Sequence, residues 1–215
     1  MNHRYLPFHA DRAIVNTDVD QQAREFAKVA PISDFICLPG QAYRSEWVAA
    51  SANDVTIIAG SASAHMQKQD ALSSLERVSL FIPIRGTHTF LSGGQQVSMG
   101  GSDSMLFYPP FDRTYETSEM SAIHIQANAS ALAKRVLEIS PESTSLAPSL
   151  LRLQQPKQLF LNDKLNRHIF ATIRKILTVI NSVQTETMAL PAGSGIDAVI
   201  EKCFVALLYP ELVVE

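Results

Sequence analysis

From Asp34 to Gln126 the chain is a succession of short β-branched or aromatic runs punctuated by Gly, Ser and Asn, with no helical period between them. That feature constrains the fold more than any other. Antiparallel strands joined by turns read this way, whereas a parallel sheet needs helical crossovers, so a small closed barrel or a sandwich is favoured. About ten strands fit. The clearest runs from Leu75 to Ile84, where Val78, Leu80, Ile82 and Ile84 share one face and Arg77, Ser79, Phe81 and Pro83 the other. The first of those faces is core. Gly86 ends this strand, Thr87 to Leu91 forms the next, and Ser92-Gly93-Gly94 turns the chain into Gln95 to Met99. Gly100-Gly101-Ser102-Asp103 makes a second turn before Ser104 to Tyr108, which Pro109-Pro110 ends, and Met120 to Ala127 alternates again.

The flanks are helical. Thr17 to Asp20 places carboxylates where they cap exposed amides, and Ala23, Phe26, Ala27 and Ala30 make one stripe before Pro31. Beyond Asn128 the period changes to about 3.6. Ala129 to Ile139 is a short helix, and Ser140 to Pro156 a loop rich in Ser and Pro. Asn162 to Val183 follows with Leu165, Ile169, Ile173, Ile176, Ile180 and Val183 on one stripe. Ser194-Gly195-Ile196-Asp197 is a capping-box-like start for a last helix, with Asp in place of Glu. The expected division is an N-terminal arm and helix over 1–33, a β-barrel over 34–128 and a helical unit over 129–215.

Composition removes several functions. A chain of 215 residues, 46% hydrophobic, can bury one sizeable core. A net charge of −3 gives no overall electrostatic footprint for nucleic acid. Cys37 and Cys203 match neither a metal-ligand spacing nor a disulfide framework and read as free thiols of a cytoplasmic protein. The N-terminus has no signal-peptide pattern, and no apolar run approaches the ~20 residues of a membrane span. A Gly-x-Ser-x-Gly elbow is absent from the sequence, and the paired glycines at 93–94 and 100–101 are turns rather than a phosphate cradle.

The order helix, β-barrel, helix pair resembles the ligand-binding domain of AraC/XylS transcription regulators, whose barrel is a degenerate cupin. The resemblance rests on the Thr17 to Asp20 helix start before the Phe35 to Trp47 segment, and on Val78-Ser79-Leu80-Phe81-Ile82-Pro83-Ile84-Arg85-Gly86. It rests also on the hairpin Gly93-Gly94-Gln95-Gln96-Val97, on the Gly101-Ser102-Asp103 turn leading to Tyr108 and Pro110, and on Leu207-Leu208-Tyr209-Pro210. It spans residues 15 to 210 and implies a mostly β fold with a cupin-like antiparallel barrel, a double-stranded β-helix, followed by a helical dimerisation unit. It further implies a cytoplasmic homodimer that senses a small-molecule effector, catalyses no reaction and reaches DNA only through a C-terminal pair of helix-turn-helix units. Those units are not in this sequence, and the Gln184 to Gly193 spacer is too long for the last two helices to act as one.

Metal-dependent cupins gather two histidines and a glutamate on one hairpin and a further histidine on a later strand. The matching stretch here is Gly86-Thr87-His88-Thr89-Phe90, with Phe at the second histidine and Gln95 near the glutamate. One ligand of four remains, so no metal or other cofactor is expected. A three-histidine site from His65, His88 and His124 would be the alternative, that of a metal-dependent dioxygenase or isomerase. For an effector pocket, Trp47, Phe81, Phe90 and Tyr108 are candidate walls and Arg44, Arg77, His88 and His124 candidate polar anchors. Each equally fits a plain core or surface position, because a one-residue register change exchanges the faces. Arg44 and Arg77 point to an anionic group on the effector. Ile169, Ile173, Ile176 and Ile180 are the candidate dimer seam, the alternative being that they pack within their own chain. A partner-binding helix pair on an inert barrel is the remaining rival.

Overall fold

The computed structural model describes residues 6–28, 34–37, 40, 42–69, 77–92, 94–101, 103–109, 113–139, 156–183 and 188–212. The expected turn residues Gly93 and Ser102, the helix end at Ala30 and Pro31, the start at Leu75 and most of the 140–156 loop fall outside them. In chain order the elements are β1 (Ile14–Asn16), α1 (Val19–Phe26), β2 (Asp34–Cys37), β3 (Ser45–Ala52), β4 (Val55–Ala62), β5 (His65–Gln69) and β6 (Arg77–Arg85). Then come β7 (Thr87–Ser92), β8 (Gln95–Gly100), β9 (Ser104–Tyr108), β10 (Arg113–Thr117), β11 (Met120–Asn128) and α2 (Ala129–Ile139). β12 (Lys157–Phe160), α3 (Lys164–Ser182) and α4 (Ile196–Leu208) complete the fold.

The strands form two antiparallel sheets, one of seven in the order β1-β3-β4-β11-β6-β9-β12 and one of five in the order β2-β5-β10-β7-β8. They face each other as a sandwich and do not close into a barrel. The large sheet has two dissimilar faces because side chains alternate along a strand. Val48, Ala50, Val55, Ile57, Ala59, Val78, Leu80, Ile82, Phe107, Ile123 and Ile125 point to one side, where α2, α3 and α4 cover them in the main core. Phe81, Leu106, Tyr108 and Ala122 point to the other side, toward the small sheet.

Local chemistry explains the connections. Gly86, with φ of 88°, lets β6 turn into β7, and a Cβ there would collide with the Glu119 carbonyl. Asn53 has φ of 47° in the two-residue turn between β3 and β4, a conformation its short polar side chain tolerates. The Asp18 side chain caps α1 through the Gln21 amide at 2.8 Å, as the sequence suggests, and Asp163 caps α3 through the Asn166 amide at 3.0 Å.

Four features differ from the sequence reading. The expected capping box at Ser194 to Asp197 does not form: Gly195 occupies the cap position with φ of 70°, and the Asp197 carboxylate accepts instead from the Asn53 amide. α1 ends at Phe26, short of Ala30. Two short strands, β1 and β12, extend the large sheet, one from the expected arm and one between the expected 140–156 loop and the helix expected from Asn162, pairing with β3 and β9. Finally, the candidate seam Ile169, Ile173, Ile176 and Ile180 is buried in the chain's own core. An apolar stripe that packs within its own fold is not presented to a second copy, so those four residues are corrected from interface to core.

Candidate functional site

The space between the sheets holds a continuous run of rings. Phe81 on β6 lies 5.0 Å from His88 and 5.2 Å from Phe90 on β7, edge to face. Phe90 lies 5.7 Å from Tyr108 on β9, and Tyr108 stacks on His124 of β11. Five of the eight residues expected to line a pocket, Phe81, His88, Phe90, Tyr108 and His124, are thus brought together. Their spacing is that of packed aromatic side chains, so this layer is filled by the protein itself.

The hub of the run is Tyr115 on β10, which sequence reasoning did not single out. Its ring contacts Phe81, Phe90, His65 and His88. The signal was the alternation Arg113-Thr114-Tyr115-Glu116-Thr117, with an aromatic residue between polar ones. Tyr43 joins at the far end, 6.2 Å from His65.

Hydrogen bonds fix the state of these groups. His88 Nε2 lies 3.0 Å from the Arg85 carbonyl, which can only accept, so Nε2 carries the proton. Nδ1 then accepts from the Tyr115 hydroxyl at 2.6 Å. His65 donates from Nδ1 to the Ser63 carbonyl at 2.7 Å. Burial pushes both imidazoles down to about 4, with His65 a smaller contributor to the lowering at His88, so both are neutral at ordinary pH. Burial likewise pushes the Tyr43 hydroxyl up to about 12. His124 Nε2 is 2.6 Å from the Tyr108 hydroxyl.

This donor set does not fit a cupin metal. Both ring nitrogens of His88 are engaged by protein, Phe90 occupies the position of a second ligand, and among the described residues no group of three His, Cys, Asp or Glu side chains is placed to hold an ion.

A second feature lies on the same face. Strand register aligns Ser51 with Thr56, Thr56 with Gln126, Gln126 with Ser79 and Ser79 with Tyr108, so one straight row across five strands is entirely polar. Thr56, Ser79, Gln126 and Tyr108 in it are buried. Gln126 is 2% exposed and its Oε1 has no hydrogen-bond partner among the described residues. Arg77, half-buried, donates from Nη1 to Thr56 Oγ1 at 3.0 Å. The next row of that face, Ala49, Ile58, His124, Phe81 and Leu106, is mostly apolar.

The remaining expected residues stand apart. Trp47 is buried on the inner face but packs on Phe26 of α1 at 5.5 Å, with Ala49 and Ile58, in a cluster of its own. Its Nε1 has no partner among the described residues. Gly60, opposite it on β4, leaves the room its Cβ needs. Arg44 is exposed ahead of β3, with its backbone tied to Ser63. On the opposite side of the molecule, α3 exposes Lys164, Arg167, His168, Arg174 and Lys175 and contains no acidic residue. A cleft of about 320 Å³ there is lined by Pro7, Ala171, Arg174, Lys175, Leu177 and Thr178. Two copies meeting along that face would set like charges against each other.

No protein-family model matches the sequence, and no curated protein matches it. Among solved structures, the AraC-like transcriptional activator CuxR shares the fold with a TM-score of 0.65 and 14% identity, over 91% of this chain and 69% of that one. A helix-turn-helix transcriptional regulator from Vibrio cholerae overlaps 39% of this chain and 50% of its own, at 10% identity and a TM-score of 0.34. The nucleoside dehydratase Pac13 overlaps 40% of this chain and 68% of its own, at 16% identity and a TM-score of 0.33. Those two partial overlaps bear no weight on function. The chain shares its fold with the AraC-like activator.

Proposed function

We propose that this chain is the effector-sensing and dimerisation domain of an AraC-type transcription regulator. It binds a small molecule at the polar row beside the filled ring layer, catalyses no reaction and acts on DNA only through a helix-turn-helix domain outside this sequence. The observation that carries the reading is the inner face of the seven-stranded sheet, which combines rings, neutral imidazoles and an unsatisfied carboxamide on a fold shared with an AraC-like activator along 91% of the chain. A face built only for stability has no use for a buried acceptor without a donor. Effector binding changes the domain's preference between two arrangements of a homodimer, and so how the attached DNA-binding domains are presented. The dimer surface lies outside the buried isoleucine stripe of α3. Among the described residues no helix is long and apolar enough to cross a membrane.

A thermal-shift screen of small molecules, followed by solution mass with the strongest binder, tests this. The expected outcome is a metal-independent ligand that raises Tm and alters association. A metal-dependent cupin enzyme is the alternative. Stoichiometric transition metal with turnover of a substrate would overturn the sensor reading in its favour.

A further inference from the structure

Resting on the sensor reading, we propose that the polar row seats the effector's polar head and that this head is anionic. A carboxylate or phosphate sits on the Arg77 guanidinium, beside a hydroxyl or amine that donates to Gln126 Oε1.

The topology brings the two groups together. β11 lies between β6 and β4, so an Arg77 side chain that starts on β6 and reaches Thr56 on β4 crosses β11 next to Gln126. Gln126 and Ser79 are register partners, and Arg77 is two residues along from Ser79 on the same face. Diagonal positions of this kind lie roughly 7 to 8 Å apart, within reach of one small molecule bearing both an acid and a donor.

The chemistry is equally specific. A guanidinium has five N–H donors in one plane, and Arg77 uses one on Thr56. Among the described residues no carboxylate pairs with it, so its outer edge is available for a bidentate oxyanion. Gln126 Oε1 has lost water without gaining a donor. A neutral apolar effector would leave both groups unanswered. An acid without a neighbouring donor would answer one, and a hydroxy or amino acid, or a sugar phosphate, answers both.

The test uses inorganic phosphate, glycerate and glycerol as probes, at matched ionic strength, by thermal shift and calorimetry on the whole chain. Phosphate and glycerate are expected to bind where glycerol does not. Arg77→Met should weaken both anions by roughly tenfold or more, as removal of a charge-assisted contact does. Gln126→Leu should weaken glycerate while leaving phosphate nearly unchanged. Arg85→Met, at an exposed arginine paired with Glu119, should behave as the wild type and controls for general salting effects. Arg77→Lys, which keeps the charge without the planar fork, should fall between wild type and Arg77→Met and guards against a folding defect in the methionine variant.

No anion response in the wild type, or the same response in Arg77→Met, overturns the anionic subsite. Neutral ligands that bind between the sheets regardless of Arg77 would overturn it while leaving the sensor reading standing. Stoichiometric metal with turnover would remove the sensor reading itself.

Discussion

The two faces of the seven-stranded sheet are made from the same strands and differ in every other residue. Toward the helices the sheet presents Val, Leu, Ile and Phe side chains fully withdrawn from water, with the ion pair of Arg135 and Glu201 at 3.0 Å joining α2 to α4 beside them. Toward the small sheet the same strands present Thr56, Ser79, Gln126, Tyr108 and His124 among the rings. Burial is comparable on both sides, so exposure does not separate them. Satisfaction does: the central rows of the helix-side face are apolar and Lys157, at their edge, donates to the Leu207 carbonyl, whereas the inner face contains buried polar atoms of which Gln126 Oε1, Trp47 Nε1 and Asn16 Oδ1 are without partners among the described residues. One face holds the fold together, and the other carries a local cost, for which the proposed recognition of an effector would account.

Truncation should separate the faces most strongly. Phe107→Ala, on the helix side and 6.2 Å edge to face from Phe204 of α4, should cost about 3 to 5 kcal/mol in urea unfolding. A loss under about 1 kcal/mol would show that this face is not the stabilising one.

Acid should act through the inner space. His65 and His88 titrate at about 4 when folded and at 6.5 in the reference state, so the unfolded chain binds more protons between those values. Their contribution is complete above pH 6.5 and is lost as the pH falls toward 4, on the order of 3 kcal/mol for each histidine. Unfolding curves at pH 7 and pH 5 measure this, and the double variant His65→Gln with His88→Gln should flatten the difference. An unchanged difference would place the acid sensitivity elsewhere.

Smaller changes probe single atoms. Tyr115→Phe keeps the ring packing and removes the donor to His88 Nδ1, so it should cost about 1 to 3 kcal/mol and raise the His88 titration point, followed by NMR. Gln126→Leu should have the smallest effect of all, between neutral and slightly stabilising, because it removes an acceptor that no donor satisfies. A clear destabilisation there would mean that Gln126 supports the fold.

Alternation made the faces readable from sequence. Val78, Leu80 and Ile82 against Ser79 and Phe81 separated core from inner face, and Ser104 to Tyr108 and Ala129 to Ile139 have the bounds that their flanking signals imply. The ten strands β2 to β11 match the number that the turn spacing suggests. What escaped was set by distant partners. β12 is four residues long and exists because β9, some fifty positions earlier, offers it an edge, and no local period announces that. The polar row escaped for the same reason: Thr56, Ser79 and Gln126 are unremarkable in their own strands and become a row only through register across β4, β11 and β6. The isoleucine stripe of α3 was visible, but periodicity reports that a face is buried and not against what.

Metal content and solution mass measured together on one purified sample test the sensor reading most directly. The account predicts a metal-free homodimer, its inner face held by protein hydrogen bonds. A monomer carrying about one transition metal per chain would contradict it, and would require His65, His88 and His124 to leave the partners described above and converge on an ion.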